Sequence, residues 1–371
     1  MPSSSALDQP GEGSESWRLW GPYLALRQWG TVREDYSASG DAWSYFPFDH
    51  ARLRAYRWGE DGLLGVSDQR QLVGLGLGLW NGQDEILKER FFGLTNAEGN
   101  HGEDVKEYWH YLDALPDSRY LRAVYRYPMA AFPYRELRER NAVPGPELKL
   151  LDLGYFQDDR YFDVQVEYAK AAPTFIACRI TVTNRSTEPA ELHLLAQAWL
   201  RNTWTWNGNA PPGLALREGR LWLTHPDLPG YRLAADPGAT WLFCDNETDT
   251  ARLYGIAPRS RYPKGAIGDA VVSGDLTLCN PAQTGTKAAA RYLLSLDPGE
   301  SKVVRWVWSD HDGPEPADAD RVCDAGRAAA DSYHQRLAPA ASDPDERLIL
   351  RQGMAGLIWS QQYYEYEVER W

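Results

Sequence analysis

Short hydrophobic runs separated by turn-forming residues recur through the middle of this chain and constrain its fold more than any other feature. Runs rich in Val, Ile, Leu and aromatics alternate with Gly, Pro, Asn and Asp, which is typical of strands joined by tight connections. Eight runs predict strands at 162–168, 175–183, 191–200, 240–244, 252–256, 270–278, 288–296 and 302–308. So many strands without intervening helices predict a large antiparallel β-sandwich.

The run at 175–183 alternates strictly, so each side chain can be assigned to a face. Consecutive side chains of a strand point to opposite sides of the sheet. Ile176, Cys178, Ile180 and Val182 therefore share one face, while an arginine and two threonines lie on the other. We expect the face with the isoleucines and the valine to be buried.

Residues 74–80 alternate Gly and Leu and end in Trp80. The glycine spacing is GxGxG rather than the GxGxxG of a dinucleotide-binding loop, and Asn81-Gly82 turns the chain where a helix would have to begin. The alternation instead predicts a strand with one face crowded by a neighbour.

The character of the sequence changes around Pro314. Residues 317–337 are alanine-rich with helical spacing, and a second helix is predicted from about Asp343 to Glu367, capped by Ser342 or Asp343. One face of this second helix forms an apolar stripe that needs a partner surface. The stripe consists of Leu348, Ile349, Gln352, Ala355, Gly356, Trp359 and Tyr363.

An aromatic and arginine-rich block lies near the N-terminus. Residues 17–58 hold five Trp, four Tyr and two Phe, and residues 17–61 hold six Arg and six carboxylates without a lysine. Aromatic faces stack on the apolar face of a pyranose, while guanidinium and carboxylate groups hydrogen-bond its hydroxyls. The block indicates a sugar-facing surface, with core aromatics and structural ion pairs as the alternative. A second aromatic stretch at 199–206 has the same two interpretations.

Charge and hydropathy exclude several classes of partner. The net charge of −13 opposes binding to nucleic acid or to an anionic membrane. No apolar run approaches the roughly 18 residues of a transmembrane helix. Residues 1–16 lack the basic and apolar regions of a signal peptide and are expected to form a disordered tail. We therefore expect a cytoplasmic protein.

No metal or cofactor site is predicted from the residue spacing. The four cysteines stand far apart without a CxxC pair, which favours buried thiols in a reducing compartment. The loop at 96–104 is rich in oxygen ligands but lacks the order of an EF-hand. Carboxylate pairs occur at 34–35, 60–61 and 158–159, where surface charge is the favoured interpretation over glycosidase chemistry.

Longer ordered motifs carry a family resemblance. Residues 20–24 read Trp-Gly-Pro-Tyr-Leu, and residues 27–37 read Arg-Gln-Trp-Gly-Thr-Val-Arg-Glu-Asp-Tyr-Ser. This strongly resembles the opening of bacterial members of glycoside hydrolase family 63, and the resemblance extends from residue 17 to residue 371. Further matching segments lie at 40–43, 49–52, 55–62, 80–82, 94–108, 158–163 and 356–364.

The resemblance implies an N-terminal β-sandwich followed by an (α/α)6 barrel, and inverting hydrolysis of α-glucosides or related oligosaccharides. In that mechanism one carboxylic acid protonates the leaving oxygen while a second carboxylate activates water. Family members are much longer, and their acid and base lie C-terminal to the residues present here. No catalytic residue is therefore carried over, and we expect the chain to be inactive without a barrel supplied in cis or in trans.

Composition and resemblance together divide the chain into a tail at 1–16, a β-sandwich domain at 17–312, and a helical linker with a first barrel-like helix at 313–371. The N-terminal motif block supplies candidates for contact with the sugar or with the barrel, two roles that stay open. These candidates are Arg33, Asp35, Trp43, Arg57, Trp58 and Glu60.

Two other functions remain open at this stage. The chain could be a free-standing carbohydrate-binding or scaffold module that pairs with a separately encoded barrel. It could also be an independent hydrolase that uses sandwich carboxylates such as Asp35 or Glu60. A barrel-facing surface left exposed further predicts self-association of the isolated chain.

Overall fold

The computed structural model describes residues 14–24, 48–57, 62–94, 104–339 and 342–361. Two large antiparallel sheets share one hydrophobic core between their inner faces. Leu75 and Leu194 contribute to this core from one sheet, and Val164 and Ile180 from the other. The prediction of a mainly β, antiparallel architecture is confirmed.

The smaller sheet has six strands. In spatial order they are β1 (Trp20–Gly21), β2 (Val66–Asp68), β3 (Val73–Trp80), β10 (Ala190–Leu200), β16 (Lys287–Leu296) and β14 (Thr240–Cys244). Strand β10 is central, since it pairs with β3 on one side and with β16 on the other.

The larger sheet has nine strands. In spatial order they are β15 (Thr284–Gly285), β11 (Gly213–Arg217), β12 (Arg220–Thr224), β13 (Arg232–Ala235), β17 (Ser301–Ser309), β9 (Phe175–Asn184), β8 (Tyr161–Ala172), β7 (Tyr120–Pro128) and β6 (Trp109–Ala114). A short ladder joins β4 (Gly93–Leu94) to β5 (Asp104–Val105).

One helix precedes β1, and the others lie between strands or at the C-terminal end of the described chain. They are α1 (Ser14–Trp17), α2 (Phe48–Leu53), α3 (Tyr134–Asn141), α4 (Trp204–Asn207), α5 (Thr250–Tyr254), α6 (Ala266–Ser273), α7 (Asp318–Leu337) and α8 (Pro344–Trp359). Two single turns of 3-10 helix lie at Gln157–Asp159 and Leu276–Leu278.

Two of the eight predicted strands are wrong. Residues 252–256 overlap α5, which Asp249 caps by accepting a hydrogen bond from the Arg252 backbone N–H. Residues 270–278 overlap α6 and a 3-10 turn, with Gly274 between them in the left-handed region. In α6 the buried residues Ala266, Ile267, Ala270 and Val271 recur with helical rather than alternating spacing, whereas α5 buries no residue and is too short to show either period.

The predicted face assignment in β9 is confirmed. Ile176, Cys178, Ile180 and Val182 are all buried in the main core. The opposite face is covered as well, because α7 lies across it and buries Ala177. Sequence alternation therefore identified the inner face but gave no sign of a helix over the outer one.

Helix α7 is fixed to the sheet by a buried carboxylate. Glu167 on β8 accepts hydrogen bonds from Arg327 Nη2 on α7 (2.6 Å), from Arg179 Nε on β9 (3.0 Å) and from the Tyr120 hydroxyl (2.6 Å). Burial acts to raise the pKa of Glu167, but these donors outweigh it and the pKa lies below its ordinary value. The Glu167 network thus joins three strands, β7, β8 and β9, and the helix through one ionised group.

Helix α8 begins as the sequence predicts. The Asp343 side chain accepts from the Glu346 backbone N–H, the Glu346 carboxylate accepts from the Asp343 backbone N–H, and Pro344 occupies the first turn. This reciprocal pair is a capping box. The helix ends at Trp359 and Ser360 is its C-cap, so the predicted continuation is wrong at Ser360 and Gln361. Residues 362–367 of the predicted helix lie outside the described residues.

The predicted apolar stripe of α8 is divided between two surfaces. Ala355 and Trp359 are buried against the sandwich, where the Trp359 ring stacks on Tyr111 at a centroid distance of 5.4 Å. Leu348 and Ile349 point away and are exposed. The prediction that one face carries the whole stripe is therefore wrong, since part of it already packs on β6.

Candidate functional site

Of the six candidate residues named from the sequence, Arg57 alone falls within the residues that the structure describes. Arg33, Asp35, Trp43, Trp58 and Glu60 lie outside them, and their roles stay predictions. The candidate site is therefore built outward from Arg57.

The chain reaches Arg57 through α2 and a short extended segment that a buried lysine holds on the sandwich. Lys264 Nζ donates to the carbonyl of Ala51 at 3.0 Å and to the carbonyl of Arg54 at 2.6 Å. Lys264 is fully buried. Because a buried ammonium group needs nearby acceptors, the lysine and the segment fix each other.

Asn246 fixes the residue that precedes Arg57. Its side-chain Oδ1 accepts from the Tyr56 backbone N–H at 2.7 Å, and its Nδ2 donates to the Tyr56 carbonyl at 3.0 Å. The same Nδ2 donates to the Leu200 carbonyl, and Asn202 N donates to the Tyr56 carbonyl. The buried Asn246 side chain thus pairs with both backbone groups of Tyr56, as a neighbouring strand would, and so fixes the backbone next to Arg57.

Arg57 meets the second aromatic stretch of the sequence. Its Nη2 donates to Thr205 Oγ1 at 2.8 Å, and its guanidinium carbon lies 4.9 Å from the centroid of the Trp206 ring. Thr205 Oγ1 in turn donates to Asn202 Oδ1 at 2.8 Å, and Arg201 Nε donates to the Arg57 carbonyl at 2.5 Å. We call Arg57, Arg201, Asn202, Thr205 and Trp206 the rim cluster.

The other tryptophans of the stretch at 199–206 belong to the interior. Trp199 is buried and packs against the glycines of β3, so that a Cβ at Gly76 would lie 3.0 Å from its ring. Trp204 is buried and donates from Nε1 to Glu247 Oε1 at 2.7 Å. Packing at the core and rim is thus confirmed for these two, which leaves Trp206 as the half-buried ring of the stretch.

The Gly/Leu alternation of β3 is explained by the same contacts. A Cβ at Gly78 would lie 2.2 Å from Gln197 Nε2, while Leu75, Leu77 and Leu79 fill the main core. The predicted strand with one crowded face is confirmed.

Two segments of the family resemblance, residues 80–82 and 94–108, contain side chains with structural roles. Asn81 organises the turn after β3, since its Oδ1 accepts from the backbone of Gln83 and Asp84 and its Nδ2 donates to the Pro128 carbonyl at 2.7 Å. Such side-chain caps of turns are what Asn commonly provides.

In the second segment, residues 94–108, Glu107 forms a buried ion pair with Lys88, and sequence spacing gave no sign of this pair. Glu107 Oε1 accepts from Lys88 Nζ at 2.5 Å and its Oε2 accepts from the Tyr125 hydroxyl at 2.5 Å, with both charged side chains fully buried. Lys88 Nζ also lies 4.0 Å from the centroid of the Phe132 ring. The two residues are 19 positions apart and lie in different segments, and pattern reasoning did not connect them.

The half-buried members of the rim cluster, Arg57, Thr205 and Trp206, present a guanidinium group, a hydroxyl and an indole ring. This set can stack on a sugar ring and hydrogen-bond its hydroxyls. Across the described ranges, no group of three or more His, Cys, Asp or Glu is placed to hold a metal ion. The same ranges contain no helix long and apolar enough to cross a membrane.

Comparison with curated proteins gives one informative match. The uncharacterized protein YMR196W of Saccharomyces cerevisiae is 37% identical over 408 aligned residues, which cover 96% of this chain and 38% of the yeast protein. The chain thus spans well under half the length of the curated relative that it matches.

Solved structures are similar only at a distance. Polysaccharide lyase BACCELL_00875 superposes with a TM-score of 0.31 at 12% identity, covering 65% of this chain and 26% of the lyase. The Slr1438 protein from Synechocystis sp. PCC 6803 superposes with a TM-score of 0.30 at 9% identity, covering 69% of this chain and 90% of that one. No family model matches the chain.

Proposed function

We propose that this chain is the β-sandwich portion of a carbohydrate-active enzyme, and that the rim cluster belongs to its sugar-facing surface. The contact between Arg57 and Trp206 carries the proposal. It joins the arginine-rich block to the second aromatic stretch, the two segments whose composition indicated sugar binding. A ring flanked by a guanidinium group has the mixed apolar and polar character that a pyranose needs.

The reaction we propose is inverting hydrolysis of α-glucosides or related oligosaccharides. It requires a carboxylic acid that protonates the leaving oxygen and a carboxylate that activates water from the opposite face. Both groups would come from a barrel outside this chain, so the sandwich contributes binding and orientation. The isolated chain is expected to bind oligosaccharide without turning it over. A cytoplasmic location remains part of this proposal.

The solvent-exposed face of α8 is the observation behind a proposed partner domain. Ile349 and Leu357 are 70% and 79% exposed, and an ideal Cβ at Gly353 would meet no heavy atom within 4 Å. An apolar helix face with a bare glycine allows another helix to approach closely. We propose that a helical (α/α)6 barrel docks here, in cis or in trans. In the trans case the chain would be a binding or scaffold module.

Binding of a neutral α-linked oligosaccharide such as maltotriose, measured by isothermal titration calorimetry, tests the sugar-facing role. Replacing Trp206 by Ala removes the stacking ring, so we expect about a tenfold weaker affinity at an unchanged melting temperature. Arg57→Ala should weaken binding similarly.

A matched control exists elsewhere in the sandwich. The guanidinium carbon of Arg232 lies 4.3 Å from the centroid of the Trp222 ring. This is another arginine–tryptophan contact, and it lies on the nine-stranded sheet, away from the rim cluster. Trp222→Ala should leave maltotriose affinity unchanged. Equal losses at Trp206 and Trp222, or no binding by the native chain, would refute the sugar-facing role. Turnover by the purified chain would refute the assignment of catalysis to a barrel.

A further inference from the structure

Part of the outer face of the six-stranded sheet is open to solvent and carries chemistry that the rim cluster does not use. Ala290 and Tyr292 of β16 lie in the main core. Because neighbouring side chains of a strand point to opposite faces, Arg291 and Leu293 point outward. The same alternation places His193 of β10 on the outer face. Leu293 is 53% exposed, so this part of the sheet is uncovered.

This surface is distant from the rim cluster. His193 lies near the start of β10, whereas the rim cluster begins directly after Leu200, where β10 ends. At about 3.3 Å per residue, the strand between these two residues spans roughly 23 Å. A ligand at His193 would therefore occupy a separate site.

The contact between Arg291 and His193 fixes the character of both side chains. Arg291 donates from Nε to His193 Nδ1 at 3.0 Å. A ring nitrogen that accepts a hydrogen bond carries no proton, so the neutral imidazole has its proton on Nε2. Burial and the positive charge of Arg291 lower the pKa of His193 to about 4, although Glu191 acts to raise it. The imidazole is thus neutral at physiological pH and offers an N–H donor.

Arg291 is a half-buried cation without a counter-charge in the described chain. Arg179 on the other sheet, by contrast, lies 3.0 Å from Glu167. Burial lowers the pKa of Arg291, and no carboxylate of the described residues offsets this effect. Glu191 is exposed, and it accepts from Ser295 Oγ at 3.0 Å. A partly desolvated cation of this kind gains more than a paired one from an added anion.

Apolar groups flank the two polar side chains. The Trp80 ring packs edge-to-face against the His193 ring at a centroid distance of 4.9 Å. Its Nε1 donates to the Asp84 carbonyl at 2.8 Å, so the indole contributes an apolar surface here rather than a donor. Leu293 is paired with His193 on the other side, in the adjacent strand β16. We call Trp80, His193, Arg291 and Leu293 the outer cluster.

We propose that the outer cluster binds a uronic acid residue of a saccharide through its carboxylate. The terminal nitrogens of Arg291 donate to the two carboxylate oxygens in the forked geometry that arginine favours. His193 Nε2 donates to a neighbouring sugar hydroxyl, and the apolar side of the ring packs on Leu293. Charges beyond about 8 Å are screened at physiological ionic strength, so the local charge of Arg291 outweighs the net charge of the chain.

The choice of a saccharide rests on the proposed function, whereas the carboxylate contact depends on Arg291. Titration of the full chain with glucuronate, acetate, glucose and inorganic phosphate, followed by ligand-observed NMR, tests both parts. Glucuronate should bind more tightly than the other three. No binding of glucuronate, or equal binding of glucose or phosphate, would overturn the carboxylate contact. Equal binding of acetate would overturn the choice of a saccharide.

Variants at Arg291 separate forked recognition from general charge. Arg291→Gln should weaken glucuronate binding about tenfold or more, because the charge-assisted hydrogen bonds are lost. Arg291→Lys keeps the charge but not the fork, so its loss should be intermediate. Arg160→Gln is the control, since it removes an exposed arginine that pairs with Glu188 at 2.7 Å. Unchanged binding in Arg291→Gln at an unchanged melting temperature, or equal losses in the control, would overturn the assignment.

Maltotriose distinguishes a failure here from a failure of the rim cluster. Arg291→Gln should keep the native affinity for maltotriose, and Trp206→Ala should keep the native affinity for glucuronate. If either variant lost both ligands, the two sites would not be separate and the outer cluster would be overturned. A native chain that binds glucuronate but not maltotriose would refute the sugar-facing role of Trp206 and support the outer cluster.

Discussion

The indole of Trp199 lies against the backbone of Gly74, where an ideal Cβ would stand 2.4 Å from Trp199 Cε2. Non-bonded carbon atoms need about 3.5 Å, so no side chain fits between strand and ring. Gly74→Ala must push the ring or β3 aside. We expect the free energy of unfolding to fall by about 1–3 kcal/mol, measured by urea denaturation.

Gly145→Ala is the control for this substitution. An ideal Cβ at Gly145 would meet no heavy atom within 4 Å. Its effect should stay within about 0.5 kcal/mol. If the two substitutions cost the same, crowding by Trp199 does not explain the glycines of β3.

Sequence patterns predicted those parts of the fold that depend on local alternation. Strand β14 was predicted at its observed bounds, and β9 within one residue, because each alternates between clear turn residues. Helices α5 and α6 were mistaken for strands, since runs of only five and nine residues with few apolar positions fit either period. Tertiary burial against the six-stranded sheet, through residues such as Ile267 and Val271, decided the outcome for α6.

The candidate site could be predicted only in part. Composition drew attention to Arg57 and to the stretch that contains Trp206, but not to their contact, which depends on Asn246 and Lys264. These two are isolated polar residues with no motif around them. Their importance comes from full burial, which a single sequence does not reveal.

Lys170 should make stability depend on pH. Its Nζ donates to the backbone carbonyls of Trp17, at 2.7 Å, and Trp20, and burial lowers its pKa to about 7. A neutral amine has one N–H for each of these acceptors. An unfolded lysine has a pKa near 10.4, so between pH about 7 and about 10 the unfolded chain binds more protons than the folded chain. The contribution of Lys170 to stability therefore rises with pH across this window.

Comparing the native chain with Lys170→Met isolates this effect from other titrations. The unfolding free energy of the native chain should increase relative to the variant as the pH is raised from 7 to 10. Lys149→Met, at an exposed lysine, should give a profile parallel to the native one. A native profile that also runs parallel to that of Lys170→Met would show that the lysine is charged in the folded state.

The outer face of α8 should make the isolated chain self-associate. Ile349 and Leu357 are largely exposed on one helix, whereas Trp359 on the same helix is buried against Tyr111. Replacing Ile349 and Leu357 together by Glu adds two charges to the exposed face without touching the packed one. Sedimentation velocity should show concentration-dependent association for the native chain and a monomer for the double variant.

Val143→Glu tests whether any exposed apolar residue would have the same effect. Val143 is 65% exposed but follows α3 rather than lying on α8. This variant should associate like the native chain, because the loss of one isolated apolar side chain removes no contiguous patch. A native chain that sediments as a single monomer at all concentrations would contradict the role of α8 as a docking surface. So would a double variant that associates as strongly as the native chain.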